Sequence, residues 1–181
     1  IISTIHAIFS NEDDKKLILQ GFELCYSIVS ANIFLAKQLI SEAGVGLGED
    51  FTNFSSEGSY NEKKAFLKLC CILFQYINDL DISLFLSETL FIECLTTFIE
   101  SIKEVYFVDL LKVFINLIEL SEKNIIHQKL AEQVMEARND ESFLAALEGF
   151  ISQTEINEEY ENELADLAQR ILNYQFSEKK E

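Results

Sequence analysis

The clearest order in this chain is a set of polar residues spaced along stretches that are otherwise apolar. After Asn11 the polar positions Lys16, Gln20, Glu23, Ser27 and Ser30 stand at steps of 0, 4, 7, 11 and 14. At 100° per residue those steps share one stripe about 80° wide. Every residue between them, from Leu17 to Val29, is non-polar. The spacing predicts a helix that is apolar over most of its circumference. An ordinary surface helix is apolar over little more than 100° of arc. This one has to be covered on two or more sides, with a slit left to solvent.

The same steps recur. Moved by 48 residues they pick out Lys64, Lys68, Cys71, Gln75 and Asn78. A further 41 gives Val105, Asp109, Lys112, Asn116 and Glu119, and 54 more gives Glu159, Glu163, Asp166, Arg170 and Asn173. The second and third copies again have only non-polar residues in between, the pattern expected of a helix sandwiched in a stacked array. In the fourth, Glu161, Asn162 and Gln169 intrude, as in an end cap with solvent on one side. Shorter helices are predicted after each long one: Asn32–Ala43, stopped at Gly44, then Ile82–Leu86, Thr89–Ile102, Ile125–Leu130 and Glu141–Ser152. Ser59-Tyr60-Asn61-Glu62 has capping-box spacing, and Asn11 and Asn157 precede acids suited to a helix N-terminus. Val45–Ser59, rich in Gly and Ser, reads as a loop whose Phe51 and Phe54 either tuck against the helices or face a partner. The absence of proline agrees with a chain that is nearly all helix. The resulting segments are 1–10 as the end of a preceding repeat, repeats at 11–58, 59–102 and 103–153, a capping helix at 154–176, and a tail at 177–181. The chain opens on Ile1 instead of methionine, so a fragment is the expectation, with Ile1, Ile2, Ile5, Ile8 and Phe9 exposed at its start.

One long helix, a polar joint and a short helix ending on glycine can be read in NEDDKKLILQGFELCYSIVSANIFLAKQLISEAGV. With Phe114-Ile115-Asn116-Leu117, which looks like the stretch that carries a groove asparagine, the chain resembles the armadillo/HEAT class of α-solenoids, closer to armadillo. The resemblance covers Asn11 to about Gln175. It implies an all-α, right-handed solenoid of about three to four repeats whose long helices line a concave face. By that resemblance the polar stripe is a partner-binding surface. It comprises Lys16, Gln20, Glu23 and Ser27, then Lys64, Lys68, Gln75 and Asn78, then Asp109, Lys112, Asn116 and Glu119, and finally Glu163, Asp166 and Arg170. Such an amide-bearing, mixed-charge lining suits hydrogen bonds to a peptide better than a deep apolar pocket does.

Composition narrows the functional classes. A 181-residue chain that is 49% hydrophobic is not a disordered acidic tail, despite a net charge of −17. Fourteen basic residues against thirty-one acids leave no footprint for a nucleic-acid backbone. The first ninety residues carry −6 and the rest −11, and eleven acids with a single Arg138 lie between Glu132 and Asp166. A basic or mixed-charge protein segment is the expected partner; nucleic acid and anionic membrane are not. Cys25, Cys70, Cys71 and Cys94 form no C-x-x-C pair and sit in apolar runs, which predicts buried free thiols in a reducing compartment, cytoplasmic or nuclear. The longest apolar run, Leu69–Phe74, is far short of a membrane span. Gly44-Val45-Gly46-Leu47-Gly48 follows a helix, lacks the lysine of a phosphate loop and precedes Glu49 and Asp50. His6 and His127, the only histidines, have no partners at metal or catalytic spacing. No cofactor is expected. The expectation is a non-catalytic scaffold that binds a partner on the concave face. The alternative is a structural or regulatory piece of a longer solenoid that self-associates or packs on neighbouring repeats, serving a chaperone, GTPase or cytoskeletal protein.

Overall fold

A computed structural model of the chain describes residues 2–9, 14–42, 47–101, 107–152 and 159–178. Among the described residues the secondary structure is helical throughout, with no strand. The α-helices are α1 (Ile2–Phe9), α2 (Lys15–Ala31), α3 (Ile33–Glu42), α4 (Leu47–Ser56), α5 (Tyr60–Leu73), α6 (Leu80–Glu88), α7 (Phe91–Ser101), α8 (Phe107–Glu122), α9 (Gln128–Arg138), α10 (Glu141–Ser152) and α11 (Glu159–Glu178). A 3₁₀ turn, Phe74–Tyr76, follows α5. The chain folds into two compact units, Ile1–Cys94 and Leu95–Glu181, with the division falling inside α7.

In the first unit α2 packs on α5, α3 on α6, and α1 and α4 cover the rest. Val45–Ser59, expected as a loop, contains α4. Leu47, Phe51 and Phe54 stand at steps of 0, 4 and 7, one face of a helix, and Glu49 and Asp50 fall in its first turn. Phe51 and Phe54 are both buried. Phe51 lies among the rings of Phe9, Phe22, Phe66 and Phe85, with centroids 5.4, 5.8, 6.1 and 5.8 Å away. It therefore joins α1, α2, α5 and α6 to α4. Of the apolar residues expected to be exposed at the start, Ile5 and Phe9 are buried and Ile8 is half-buried, while Ile1 and the side chain of Ile2 lie outside the described residues. Close approach explains Gly21, since a Cβ there would stand 2.7 Å from Ile8 Cγ2 and 2.9 Å from a Phe9 ring carbon.

In the second unit α8 packs on α9 and α11, and α10 on α11. Phe98, Phe107 and Phe150 form a chain of rings with centroids 5.7 and 6.0 Å apart, and Phe114 meets Phe143 at 5.0 Å. Helix α8 is buried nearly all round, with Asp109, Lys112 and Asn116 as its exposed residues within the first three turns. Helix α2 is less completely covered, because Leu24 beside its polar stripe is exposed.

The helix ends follow from local chemistry. Asp14 caps α2, its carboxylate accepting from Leu17 N–H at 3.0 Å; Asn11 and Asn157, expected as caps, lie outside the described residues. Asn32 caps α3 through Leu35 N–H, and Asp140 caps α10 through Phe143 N–H. The Ser59–Glu62 box is present: the Ser59 N–H donates to Glu62 Oε2 at 2.7 Å, and the Ser59 hydroxyl also meets that carboxylate. After α8, Ile125 N–H bonds Leu120 C=O and Asn124 N–H bonds Ser121 C=O, the paired bonds of a Schellman motif, with Asn124 at φ 53°. Two expected boundaries shift. The second long helix ends at Leu73 and tightens into the 3₁₀ turn, so it does not run on to Asn78. The short helix expected at Ile125–Leu130 starts at Gln128, because Ile125 belongs to the Schellman turn and His127 is the cap residue whose Nδ1 accepts from Lys129 N–H.

Candidate functional site

The polar stripe is on the surface in both units. In the first, Lys16, Gln20, Glu23 and Ser27 on α2 are exposed, Lys64 is half-buried and Lys68 exposed on α5. Gln75 and Asn78 are exposed but stand beyond the end of α5. Packing of α2 on α5 brings the stripes together: Lys68 Nζ is 3.2 Å from Glu23 Oε1 and 4.6 Å from the centre of the Tyr26 ring. The Ser27 hydroxyl donates to the Glu23 carbonyl one turn back at 2.8 Å, which leaves its oxygen as an acceptor only. The Tyr76 hydroxyl donates to the carbonyl of Val29 at 3.4 Å, closing the end of this strip.

In the second unit Asp109, Lys112 and Asn116 on α8 are exposed and Glu119 is half-buried, while Glu163, Asp166 and Arg170 on α11 are exposed. Lys112 Nζ is 2.7 Å from Glu163 Oε1, and the Tyr174 hydroxyl donates to Glu119 Oε1 at 3.0 Å. The hydrogen bond to Glu163, with the charges of Glu163 and Asp109, holds the Lys112 ammonium above its ordinary range. Tyr174 was not marked by the pattern, since it falls one residue past the fourth stripe.

The same two steps of the pattern meet in both units. The residue at step 7 of one stripe reaches the residue at step 4 of the next: Glu23 to Lys68, and Lys112 to Glu163, with the signs exchanged. Each pair is exposed, so it contributes at most about 1 kcal/mol to stability. Its value lies in orientation, because it holds two long side chains flat along the surface and leaves the flanking residues to contact something else.

Arg138, the lone cation of the acidic stretch, is not part of any such surface. It sits in the last turn of α9, 1% exposed, with Nη1 3.7 Å from Glu122 Oε1 of α8. Exposed charge on this stretch is accordingly acidic: Glu132, Glu136, Asp140, Glu141, Glu148, Glu163 and Asp166 all face solvent.

A second surface was missed in the sequence. Between α3 and α6 lies a cavity of about 620 Å³ with an apolar wall of Ile40, Ile82, Leu84 and Phe85. Lys37 bridges the two helices at its mouth, 2.6 Å from Asp79 Oδ2 and 4.0 Å from Asp81 Oδ2. The available signal was a short helix, Ile33-Phe34-Leu35-Ala36, with more apolar residues than one buried face can use.

Cys25, Cys70 and Cys94 are buried free thiols, and burial pushes Cys25 and Cys94 up to about 12. They are protonated and unreactive at neutral pH. Among the described residues no three His, Cys, Asp or Glu side chains converge as a metal site would require. Within the same residues no single helix is long and apolar enough to cross a membrane; α6 and α7, bent by 55°, reach that mark only together, and Ile82, Leu86, Phe91 and Leu95 along them are buried in protein. No protein-family model, curated protein or solved structure matches the chain.

Proposed function

We propose that this chain is a non-catalytic interaction scaffold of the armadillo-like α-solenoid type. Its polar stripe on the long helices takes a segment of a partner protein that is basic or mixed in charge. The observation that carries the reading is the step-7-to-step-4 pairing, repeated between α2 and α5 and between α8 and α11. Within each unit, corresponding stripe residues of two long helices stand side by side, and that recurrence supports a reading as stacked repeats. The net charge and the acids beside the second-unit pair, Asp109 and Asp166, favour a basic ligand over an anionic one. Unreactive buried thiols support a reducing compartment, cytoplasmic or nuclear.

The test uses residues that hold no pair across the stripe. Wild-type protein and Asp109→Lys/Asp166→Lys are immobilised, and captured proteins are identified by mass spectrometry at 50 and 300 mM salt. The reading expects basic-segment proteins that are retained by the wild type at low salt, weakened at high salt, and lost with the double variant. A captured set identical for both proteins at both salt concentrations refutes the stripe as the binding face.

A further inference from the structure

We propose that the cavity between α3 and α6 is a second docking groove, built for a short amphipathic helix of a partner protein that carries Lys or Arg beside its apolar face. The groove lies on different helices from the stripe and stands or falls independently of it. Two large apolar side chains stand in solvent on the two helices that wall it, outside its lining. Phe34, on α3 one turn before Lys37 and Gln38, is 81% exposed; Leu80, on α6 one turn before Leu84, is 60% exposed. Scattered exposed apolar residues are ordinary, whereas two on the helices that wall one apolar cavity point to a binding surface. The ion pair at Lys37 sits at the start of α6, and the cavity runs from there to Ser41 on α3 and Glu88 on α6. Along α6 the lining spans about 10 Å from Asp81 to Glu88, at about 1.5 Å per residue, which matches about two turns of a third helix.

The occupant follows from what the channel offers. Its walls are helices, whose backbone groups are already bonded along their own axes, so an extended strand finds no edge to pair with. A helix satisfies its own backbone and presents only side chains, at i, i+3 or i+4, and i+7. Charge sets the flanking residues. Lys37 is held by Asp79, while Asp81 and Glu88 on the rim are exposed, so the groove is apolar with an acidic edge. A second copy of a chain carrying −17 is repelled, as is anionic lipid or nucleic acid.

The probe is a fluorescein-labelled 14-residue peptide with leucines on one helical face and lysines elsewhere, compared with a scrambled peptide of the same composition. Anisotropy titrations are run against four proteins: wild type, Phe34→Ala/Leu80→Ala, Asp81→Lys/Glu88→Lys, and the stripe variant Asp109→Lys/Asp166→Lys. Phe34 and Leu80 are exposed, so their truncation leaves the fold intact, which circular dichroism checks. The expected result is binding at least tenfold tighter for the amphipathic peptide than for its scramble. The preference over the scramble should be lost in each groove variant, survive in the stripe variant, and come with protection of α3 and α6 amides from hydrogen exchange. Equal affinity for the two peptides, undiminished binding by Phe34→Ala/Leu80→Ala, protection confined to other helices, or no binding at millimolar protein each overturns the proposal.

Discussion

Phe51 carries more of the first unit than any polar residue singled out by the pattern. Its ring is 1% exposed and lies against four others from four different helices. Truncation in such a site loses the transfer free energy of the ring and leaves a cavity that well-packed neighbours fill poorly, about 3–5 kcal/mol. Phe51→Ala should lower the urea midpoint by that free energy divided by the slope, with the slope itself unchanged, and Phe51→Leu should cost clearly less. A loss below about 1 kcal/mol would contradict the aromatic cluster. This residue was only half legible. Its spacing from Leu47 and Phe54 was helical, but Gly44, Gly46 and Gly48 before it and Ser, Thr and Asn around it are weak helix formers that favour turns. Tertiary contacts with four rings outweighed that preference. Gly21 was less legible still: within the stripe pattern it is one more non-polar residue, and its need for hydrogen in place of a side chain appears only when α1 lies across it.

Helix ends were legible where one local cap stands out in the sequence, and illegible where local signals compete, as before α2 and α9, or where the end depends on a neighbouring element. Ser59 and Glu62 are three residues apart and find each other in any helix start, so the box could be read directly. The end of α5 could not, because apolar residues continue to Ile77 while the chain turns to let Asp79 begin α6. Asp79 does two jobs there, accepting the Asp81 N–H at 3.2 Å and the Lys37 ammonium at 2.6 Å. Partial burial opposes its charge, but the hydrogen bond and charge of Lys37 and the N–H groups of Ile82 and Asp81 outweigh that and hold the carboxyl below its usual range. A carboxyl lowered on folding adds stability above its unfolded value, about 3.9, and the contribution disappears as pH falls through the folded value. Asp79→Asn, which keeps a cap acceptor, should therefore melt below the wild type at pH 7, with the gap closing below about pH 4. A gap that stays constant, or widens, as pH falls below about 4 would assign the effect to packing instead of the Lys37 pair.

For the molecule as a whole, the stripe marks a recurrence of polar positions in the sequence, and the two units mark where it packs most closely. The division inside α7 left no trace in composition, since Phe91, Ile92, Leu95, Phe98 and Ile99 are apolar on both sides of it. Charge was more legible: between Glu132 and Asp166 the acids whose side chains are described are exposed, and Arg138, the one basic residue of that stretch, is turned inward. That inward turn makes Arg138 a built-in reporter. Lys129 and Arg170 are its nearest basic neighbours in the chain, so trypsin has a single cleavage point between them, and the guanidinium it must grip is enclosed by α8 and α9. Native protein should be cut at Arg138 only as fast as α9 comes away, and Glu122→Ala, which removes a carboxylate beside the buried cation, should hasten that cut at temperatures well below global melting.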